Sequence, residues 1–146
     1  MAGLRKGQAN MSVRFNMIAI FVENLGKMVE FYRDVLGIEI KNDGEHYTLF
    51  EHEGIELGMF ARSMMPEFLE EDVTFPSGVN GTFSLTIDVD DFLDVDDEFE
   101  RLVDAGATPV AQPKDVPWGQ RSSMITDPEG NMIEISSWGK MPDGDF

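Results

Sequence analysis

The region from residue 15 to residue 22 (FNMIAIFV) has the alternation that is typical of a β-strand. Successive side chains of a strand point to opposite faces, so Ile18, Ile20 and Val22 share one face and residues 15, 17, 19 and 21 share the other. Both sets are apolar. We therefore expect both faces of this strand to be covered, only one of them by a helix of the same unit.

A helix is predicted directly after that strand, because apolar residues recur there with the 3.6-residue period. Asn24 is placed to cap its start and Gly37 to end it. The same signals recur later, where Asp94 is the expected cap of a second periodic stretch and Gly106 follows it. The predicted elements in chain order are a strand at 15–22, a helix at 25–36, strands at 38–41, 47–51 and 55–60, a strand at 82–89, a helix between Asp94 and Gly106, and strands at 108–111, 120–126 and 131–138.

The order β-α-β-β-β occurs twice, so the sequence predicts an internal duplication. Short matches between the halves support it: residues 22–24 (VEN) resemble 89–91 (VDD), and residues 55–57 (IEL) resemble 133–135 (IEI). We predict an α+β fold in which two tandem βαβββ modules form a curved mixed sheet around a cleft, with the helices on the outer face. The predicted segments are an N-terminal extension (1–12), a first module (13–61), a linker with one short helical turn near 67–71 (62–81), a second module (82–138) and a C-terminal tail (139–146).

The last two strands form a predicted hairpin around the turn at 127–131 (DPEGN), whose residue types favour tight turns. In the returning strand Ile133 and Ile135 alternate with Glu134. The isoleucines are therefore expected to pack on the core, and the carboxylate is expected to face the opposite side of the sheet.

The composition excludes some classes of function but adds little to the fold prediction. The 146 residues include 28 acidic and 11 basic side chains, a net charge of −17, which repels nucleic-acid phosphates and anionic lipid headgroups. No apolar run approaches the roughly 20 residues of a membrane span, and there is no cysteine for a disulfide or a thiolate site. We expect a cytoplasmic protein that binds neither nucleic acid nor membrane. Its acidic surface either serves solubility or attracts a cationic ligand.

Strand parity selects the side chains on the sheet faces turned away from the helices. On the first and last strands of the two modules these are Met17, Glu56, Ser84 and Glu134. Glu134 and Glu56 are the catalytic candidates, as a general acid or base, although they could equally be half-exposed residues without a chemical role. The predicted ligand-binding residues are Met17, Phe21, Phe60, Ser84 and Trp118. The aromatic members, together with Phe15 and Trp138, either line a ligand site or pack in the core or a dimer.

The chain resembles the vicinal oxygen chelate superfamily, which comprises glyoxalases, bleomycin-resistance proteins and extradiol dioxygenases. The resemblance covers residues 13–138 and is carried by IAIFVENLGKMVEFYRDVLGIEI in the first half, LVDAGA and PWGQRSSMITDPEGNMIEI in the second, and the paired βαβββ order. It implies a homodimer with clefts near the interface. In metal-dependent members it also implies four ligands on the first and last strands of both modules, commonly two histidines and two carboxylates.

In this chain the four positions hold Met17, Glu56, Ser84 and Glu134, so the carboxylates are present and the histidines are not. A thioether and a neutral hydroxyl are poor ligands for a catalytic divalent metal. The histidines of the sequence, His46 and His52, lie away from these positions. We therefore expect neither a metal nor another cofactor.

Three functions are compatible with these residues. The first is a protein like the bleomycin-resistance branch that binds a small cationic or aromatic molecule in a metal-free cleft and so sequesters a drug. The alternative is an enzyme of the same superfamily, a lyase, isomerase or dioxygenase-type enzyme, in which Glu134 is a base or an atypical metal ligand. The third is an accessory domain that works through dimerisation alone.

Overall fold

The computed structural model describes residues 13–139; the predicted N-terminal extension and nearly all of the predicted C-terminal tail lie outside the described residues. The described elements are β1 (Met17–Val22), α1 (Leu25–Glu30), β2 (Ile40–Asp43), β3 (Tyr47–His52), β4 (Ile55–Ala61), α2 (Met65–Leu69), β5 (Asn80–Asp88), α3 (Phe92–Asp104), β6 (Thr108–Asp115), β7 (Arg121–Thr126) and β8 (Asn131–Ser137). A π-helical turn (Phe31–Val35) extends α1, and a 3-10 turn (Arg62–Met64) precedes α2. Within residues 13–139 no helix has the length and apolarity to cross a bilayer.

Each module forms one four-stranded mixed sheet. The first sheet has the order β1-β4-β3-β2 and the second has the order β5-β8-β7-β6. In both sheets the first strand runs parallel to the last, and the other neighbouring strands are antiparallel. The predicted α+β fold of two tandem βαβββ modules is therefore confirmed.

One continuous core joins the helix-covered faces of the two sheets. Met28 and Tyr32 enter it from the first helical segment, and Leu102 enters it from α3. Ile133 and Ile135 are 1% and 0% exposed, which confirms the strand alternation predicted for β8. Because the core lies on this side of both sheets, the opposite sheet faces point away from it.

The helix starts follow the sequence signals with one correction. Asn24 caps α1, since its Oδ1 accepts a hydrogen bond from the backbone N–H of Lys27 at 3.1 Å. The cap of α3 is Asp91 and not Asp94 as predicted. Asp94 lies in the first turn, where its carboxylate accepts a 3.0 Å hydrogen bond from the backbone N–H of Asp91. Both acidic residues suit a helix start, and the reciprocal contact typical of a capping box fixes the boundary.

The strand registers correct one part of the predicted repeat. Met17 lies opposite Glu56 in the first module, whereas Ser84 lies opposite Met132 in the second. Glu134 lies two residues further along β8. The predicted match of residues 55–57 with residues 133–135 is therefore wrong by two residues.

The turn geometry gives the same alignment. Gly54 and Gly130, each with φ of 85°, come directly before the last strand of their modules. Counted from these glycines, Glu56 corresponds to Met132 and Glu134 corresponds to Gly58. The two glutamates are thus not related by the internal repeat, although both lie on the sheet faces turned away from the core.

Candidate functional site

The predicted site residues lie on the sheet faces that point away from the shared core. The first open face, on the first sheet, carries Met17, Phe21, Glu56 and Phe60; the second open face, on the second sheet, carries Ser84, Thr86, Ser122, Glu134 and Ser136. Phe21 is 38% exposed, and Ser84 and Thr86 are exposed as well. Part of each face is therefore accessible in the single chain, although Ser136 on the second open face is buried.

Aromatic side chains dominate the first open face. The ring of Phe60 stacks near Tyr47, with centroids 6.3 Å apart, and lies 6.3 Å from the tilted ring of Phe21. Gly58 lies beneath this cluster: a Cβ added there would be 2.6 Å from Phe60 Cε2 and 2.8 Å from Met17 Sδ. The predicted ligand-binding residues Met17, Phe21 and Phe60 thus form one apolar surface, which includes Tyr47.

Glu56 is paired with a cation on its own sheet. Its Oε1 atom lies 3.2 Å from Lys41 Nζ, and the Glu56 side chain is 23% exposed. Lys41 also approaches Glu51 at 4.0 Å. The ammonium group offsets the charge that Glu56 would otherwise present to a ligand.

Glu134 has different partners, because hydroxyl groups hold it. Thr86 Oγ1 donates to Oε1 at 3.2 Å, and Ser122 Oγ donates to Oε2 at 2.6 Å. A carboxylate has about four lone-pair positions, so these two bonds leave it able to accept further hydrogen bonds. These two donors are neutral and do not offset its negative charge, and they fix its orientation on the partly buried strand β8.

A row of polar groups connects Trp118 to the same face. Trp118 Nε1 donates to Gln120 Oε1 at 2.8 Å, and Gln120 Nε2 donates to Ser136 Oγ at 3.5 Å. Ser136 lies opposite Ser122, the partner of Glu134. Trp118 is 62% exposed, so an accessible indole lies at the end of a hydrogen-bonded row that reaches the strand of the carboxylate.

The structure brings the predicted residues together in two groups. Met17, Phe21, Glu56 and Phe60 share the first open face, while Ser84 and Glu134 lie on the second open face and Trp118 connects to it through the polar row. Neither Glu56 nor Glu134 lines any of four cavities found among residues 13–139. Glu56 lies on the first sheet and Glu134 on the second. That the two carboxylates share one hollow stays a prediction.

Several residues of the two faces were missed from the sequence. The alternation of β7, with Ser123 and Ile125 buried, could have placed Ser122 on the same sheet face as Glu134. No such signal existed for Lys41, because the β2–β3 register is irregular between residues 40 and 42.

The donor set does not fit a divalent metal. The Met17 sulfur packs over Gly58, Glu56 is paired with Lys41, and Ser84 supplies a neutral hydroxyl. Residues 13–139 contain no cluster of three His, Cys, Asp or Glu side chains suited to a metal ion. His46 directly precedes β3 and His52 is its last residue, with side chains 50% and 67% exposed.

Comparison with known proteins assigns the family. The model of the Glyoxalase/Bleomycin resistance protein/Dioxygenase superfamily matches residues 14–135. The uncharacterized protein YraH of Bacillus subtilis (strain 168) is 32% identical over 123 residues, which are 81% of this chain and 93% of YraH.

Two solved structures have the same fold. A glyoxalase/bleomycin resistance protein/dioxygenase from Nocardioides superposes with a TM-score of 0.78 at 22% identity, covering 97% of this chain and 94% of that one. A lactoylglutathione lyase from Agrobacterium tumefaciens superposes with a TM-score of 0.67 at 22% identity, covering 85% and 92%. These likenesses concern the fold and leave the activity open. The matched family model and the relationship to YraH show that the chain belongs to the Glyoxalase/Bleomycin resistance protein/Dioxygenase superfamily.

Proposed function

We propose that this protein binds a small cationic molecule with an aromatic part, without a metal, and so sequesters it. The observation that carries the proposal is the carboxylate of Glu134, which two neutral hydroxyls hold in place on an accessible face. A fixed anion with unused lone pairs is a good partner for an ammonium or guanidinium group. The net charge of −17 adds a long-range attraction for cations.

The aromatic part of the ligand follows from the first open face. Phe21, Tyr47 and Phe60 present ring surfaces there, and rings bind both flat molecules and cations. One sheet thus supplies the aromatic surface, and the other supplies the carboxylate with the indole of Trp118.

A second copy of the chain would bring the two faces together. We propose a homodimer in which the first open face of one copy meets the second open face of the other, with the ligand between them. Phe21 and Trp138 are each 38% exposed and Trp118 is 62% exposed, so both faces carry apolar surface that a partner would bury. Sedimentation velocity tests this arrangement, and a monomer at micromolar concentration would contradict it.

Calorimetric titration with bleomycin and with ethidium tests the ligand class. We expect one of these cations to bind, and to bind more weakly as salt is raised. Glu134→Gln should weaken binding about tenfold, because it removes the charge but keeps the shape. Glu100→Gln, on the exposed surface of α3, is the matched control and should bind like the wild type.

The enzyme alternative is supported by the same contacts, since hydroxyl donors on both oxygens would also orient Glu134 as a general base. Mass spectrometry of the recovered ligand separates the two functions. Unchanged ligand supports sequestration, whereas a product that disappears with Glu134→Gln supports catalysis. Absence of binding by both cations would contradict the proposed ligand class.

A further inference from the structure

A cavity of about 500 Å³ lies between the two modules, where core-side residues of the first sheet meet strand β5, and Ser84 and Thr86 of the second open face are part of its lining. Ile18, Ile55 and Leu57 line it from the first sheet, and residues 84–88 of β5 line it from the second module. We call this space the inter-module cavity. Its size is within the range of pockets that hold small organic ligands.

The floor of the inter-module cavity is apolar and fully packed. Tyr32 and Phe50 are 0% exposed, and Ile133 is 1% exposed. The hydroxyl of Tyr32 donates to Asp127, so this floor residue has no hydroxyl proton left for a ligand. A molecule in the cavity must therefore present an apolar body to the floor.

The side chains at the upper walls of the inter-module cavity are exposed to solvent. Ile18 is 41% exposed and Ile55 is 62% exposed, although strand parity places Ile18 on the same side as the buried Ile20. Covering these side chains would remove apolar surface from water and so favour binding. Because the floor is already packed, a ligand needs little rearrangement of the protein.

Charged groups lie at the edge of the inter-module cavity. Glu53 and Asp88 contribute carboxylates, and His52 lies 3.9 Å from Glu53. In a chain with a net charge of −17, this rim favours a cation over an anion. We propose that the inter-module cavity is a second binding site, for an amphipathic cation whose apolar chain or ring contacts the floor and whose ammonium group stays at the rim.

The test is a calorimetric titration of the full chain with n-octylammonium, with n-octyl sulfate as the anionic counterpart of equal chain length. The ammonium compound should bind with one-to-one stoichiometry, roughly fivefold or more tightly than the sulfate. Ile55→Trp should fill the mouth of the cavity and weaken binding about tenfold. Val110→Trp is the matched control, because Val110 is an exposed strand residue (45%) that does not line the cavity, and it should bind like the wild type.

Further variants keep the result interpretable. Ile18→Trp replaces Ile55→Trp if the latter does not fold. Glu53→Gln with Asp88→Asn should remove the preference for the cation, whereas Glu100→Gln, on the exposed surface of α3 and away from the cavity lining, should keep it.

Two results would overturn the proposal. One is equal binding of both octyl compounds by the wild type, or binding that neither tryptophan variant changes. The other is a change in the sedimentation coefficient with Ile55→Trp while octylammonium binding stays the same, because the cavity mouth would then be a contact between copies of the chain.

Discussion

The hydroxyl of Tyr32 donates a 2.8 Å hydrogen bond to Oδ2 of Asp127, a residue 95 positions further along the chain. Both groups are buried. Tyr32 lies in the π-helical turn that extends α1, and Asp127 begins the turn between β7 and β8. Asn131 Nδ2 donates to the same carboxylate oxygen at 2.9 Å. This contact therefore ties the helix of the first module to the hairpin of the second.

The same hairpin turn also holds the start of α1. The carboxylate of Glu129 accepts hydrogen bonds from the backbone N–H groups of Glu23 at 2.9 Å and Asn24 at 2.8 Å. Arg62 approaches Glu129 at 3.7 Å. The turn at 127–131 is thus the polar joint between the modules, and its geometry keeps the two sheets in a fixed relation.

Replacing Tyr32 by phenylalanine removes the buried hydroxyl and keeps the ring. We expect Tyr32→Phe to lower the free energy of unfolding by about 1–2 kcal/mol, because Asp127 loses a hydrogen bond in the core. Urea unfolding followed by circular dichroism measures this. Tyr47→Phe, at a half-buried position where the ring does the packing, should change the free energy by less than about 0.5 kcal/mol. Equal effects of the two changes would contradict the role of the Asp127 contact.

Unfolding measured at alkaline pH tests the same contact through the ionisation of the Tyr32 hydroxyl. Burial raises the pKa of Tyr32 well above its ordinary value, and the neighbouring charge and hydrogen bond of Asp127 raise this pKa further. The unfolded chain releases the proton near pH 10, so the contribution of Tyr32 is complete below that pH and is lost as pH rises towards the folded pKa. The stability advantage of the wild type over Tyr32→Phe should fall by up to about 1.4 kcal/mol per pH unit above pH 10. A constant advantage from pH 8 to pH 11.5 in urea unfolding would exclude this linkage.

Gly130 should tolerate no side chain. A Cβ at Gly130 would lie 1.9 Å from the carbonyl oxygen of Gly78, and the residue has φ of 85°. Backbone atoms form the obstacle, so Gly130→Ala should cost about 3 kcal/mol or more in the free energy of unfolding, or prevent folding. Gly81→Ala is the matched control, because no atom lies within 4 Å of its added Cβ, and it should be neutral or slightly stabilising. Similar thermal midpoints for the two variants would refute the close approach.

Local patterns were sufficient to predict the modules, because each strand and helix repeats its own apolar period. The alternation of Ile133 and Ile135 predicted the buried face of β8, and Asn24 and Gly37 marked the bounds of the first helical segment. Strand β6 was predicted too short. It continues to Asp115 despite Pro109 and Pro113, which an edge strand with register irregularities accommodates.

Contacts between the modules could not be predicted, since they join distant segments whose local sequences suggest other roles. Asp127 and Glu129 have the residue types of a turn, and nothing near them indicates a tyrosine or a helix start from the first module. The same limit applies to the site. Parity placed Glu56 and Glu134 on the correct faces, but only the register showed that they occupy different positions in the repeat.

An ion pair on the second module gives a prediction at acidic pH. Arg121 Nε and Nη2 donate to the two carboxylate oxygens of Asp96 at 2.7 and 2.8 Å. These hydrogen bonds lower the pKa of Asp96 below its ordinary value. The contribution is therefore present above pH 4 and is lost as pH falls through the lowered pKa. The Asp96 side chain is 39% exposed, so solvent screening limits the effect to about 0.5–1 kcal/mol.

Asp96→Asn should lower the free energy of unfolding by that amount at pH 7 and should have no effect at pH 2. Asp97→Asn, one residue along the same helix, is the control and should be neutral at both pH values. Urea unfolding at pH 2, 4 and 7 gives the comparison. A destabilisation by Asp96→Asn that persists at pH 2 would show that the charge of Asp96 is not its cause.

The two glutamates should contribute unequally to cation binding, because Lys41 lies 3.2 Å from Glu56 whereas hydroxyl groups surround Glu134. Glu56→Gln should therefore leave the affinity for the cation that binds the wild type within about twofold, against the roughly tenfold loss with Glu134→Gln. Lys41→Met should tighten binding roughly fivefold, since it leaves the Glu56 carboxylate unpaired on the first open face. Lys27→Met, on the exposed side of α1, controls for the change in net charge. Calorimetry at low salt measures all four variants, and equal losses with the two glutamine variants would mean that both carboxylates contact the ligand.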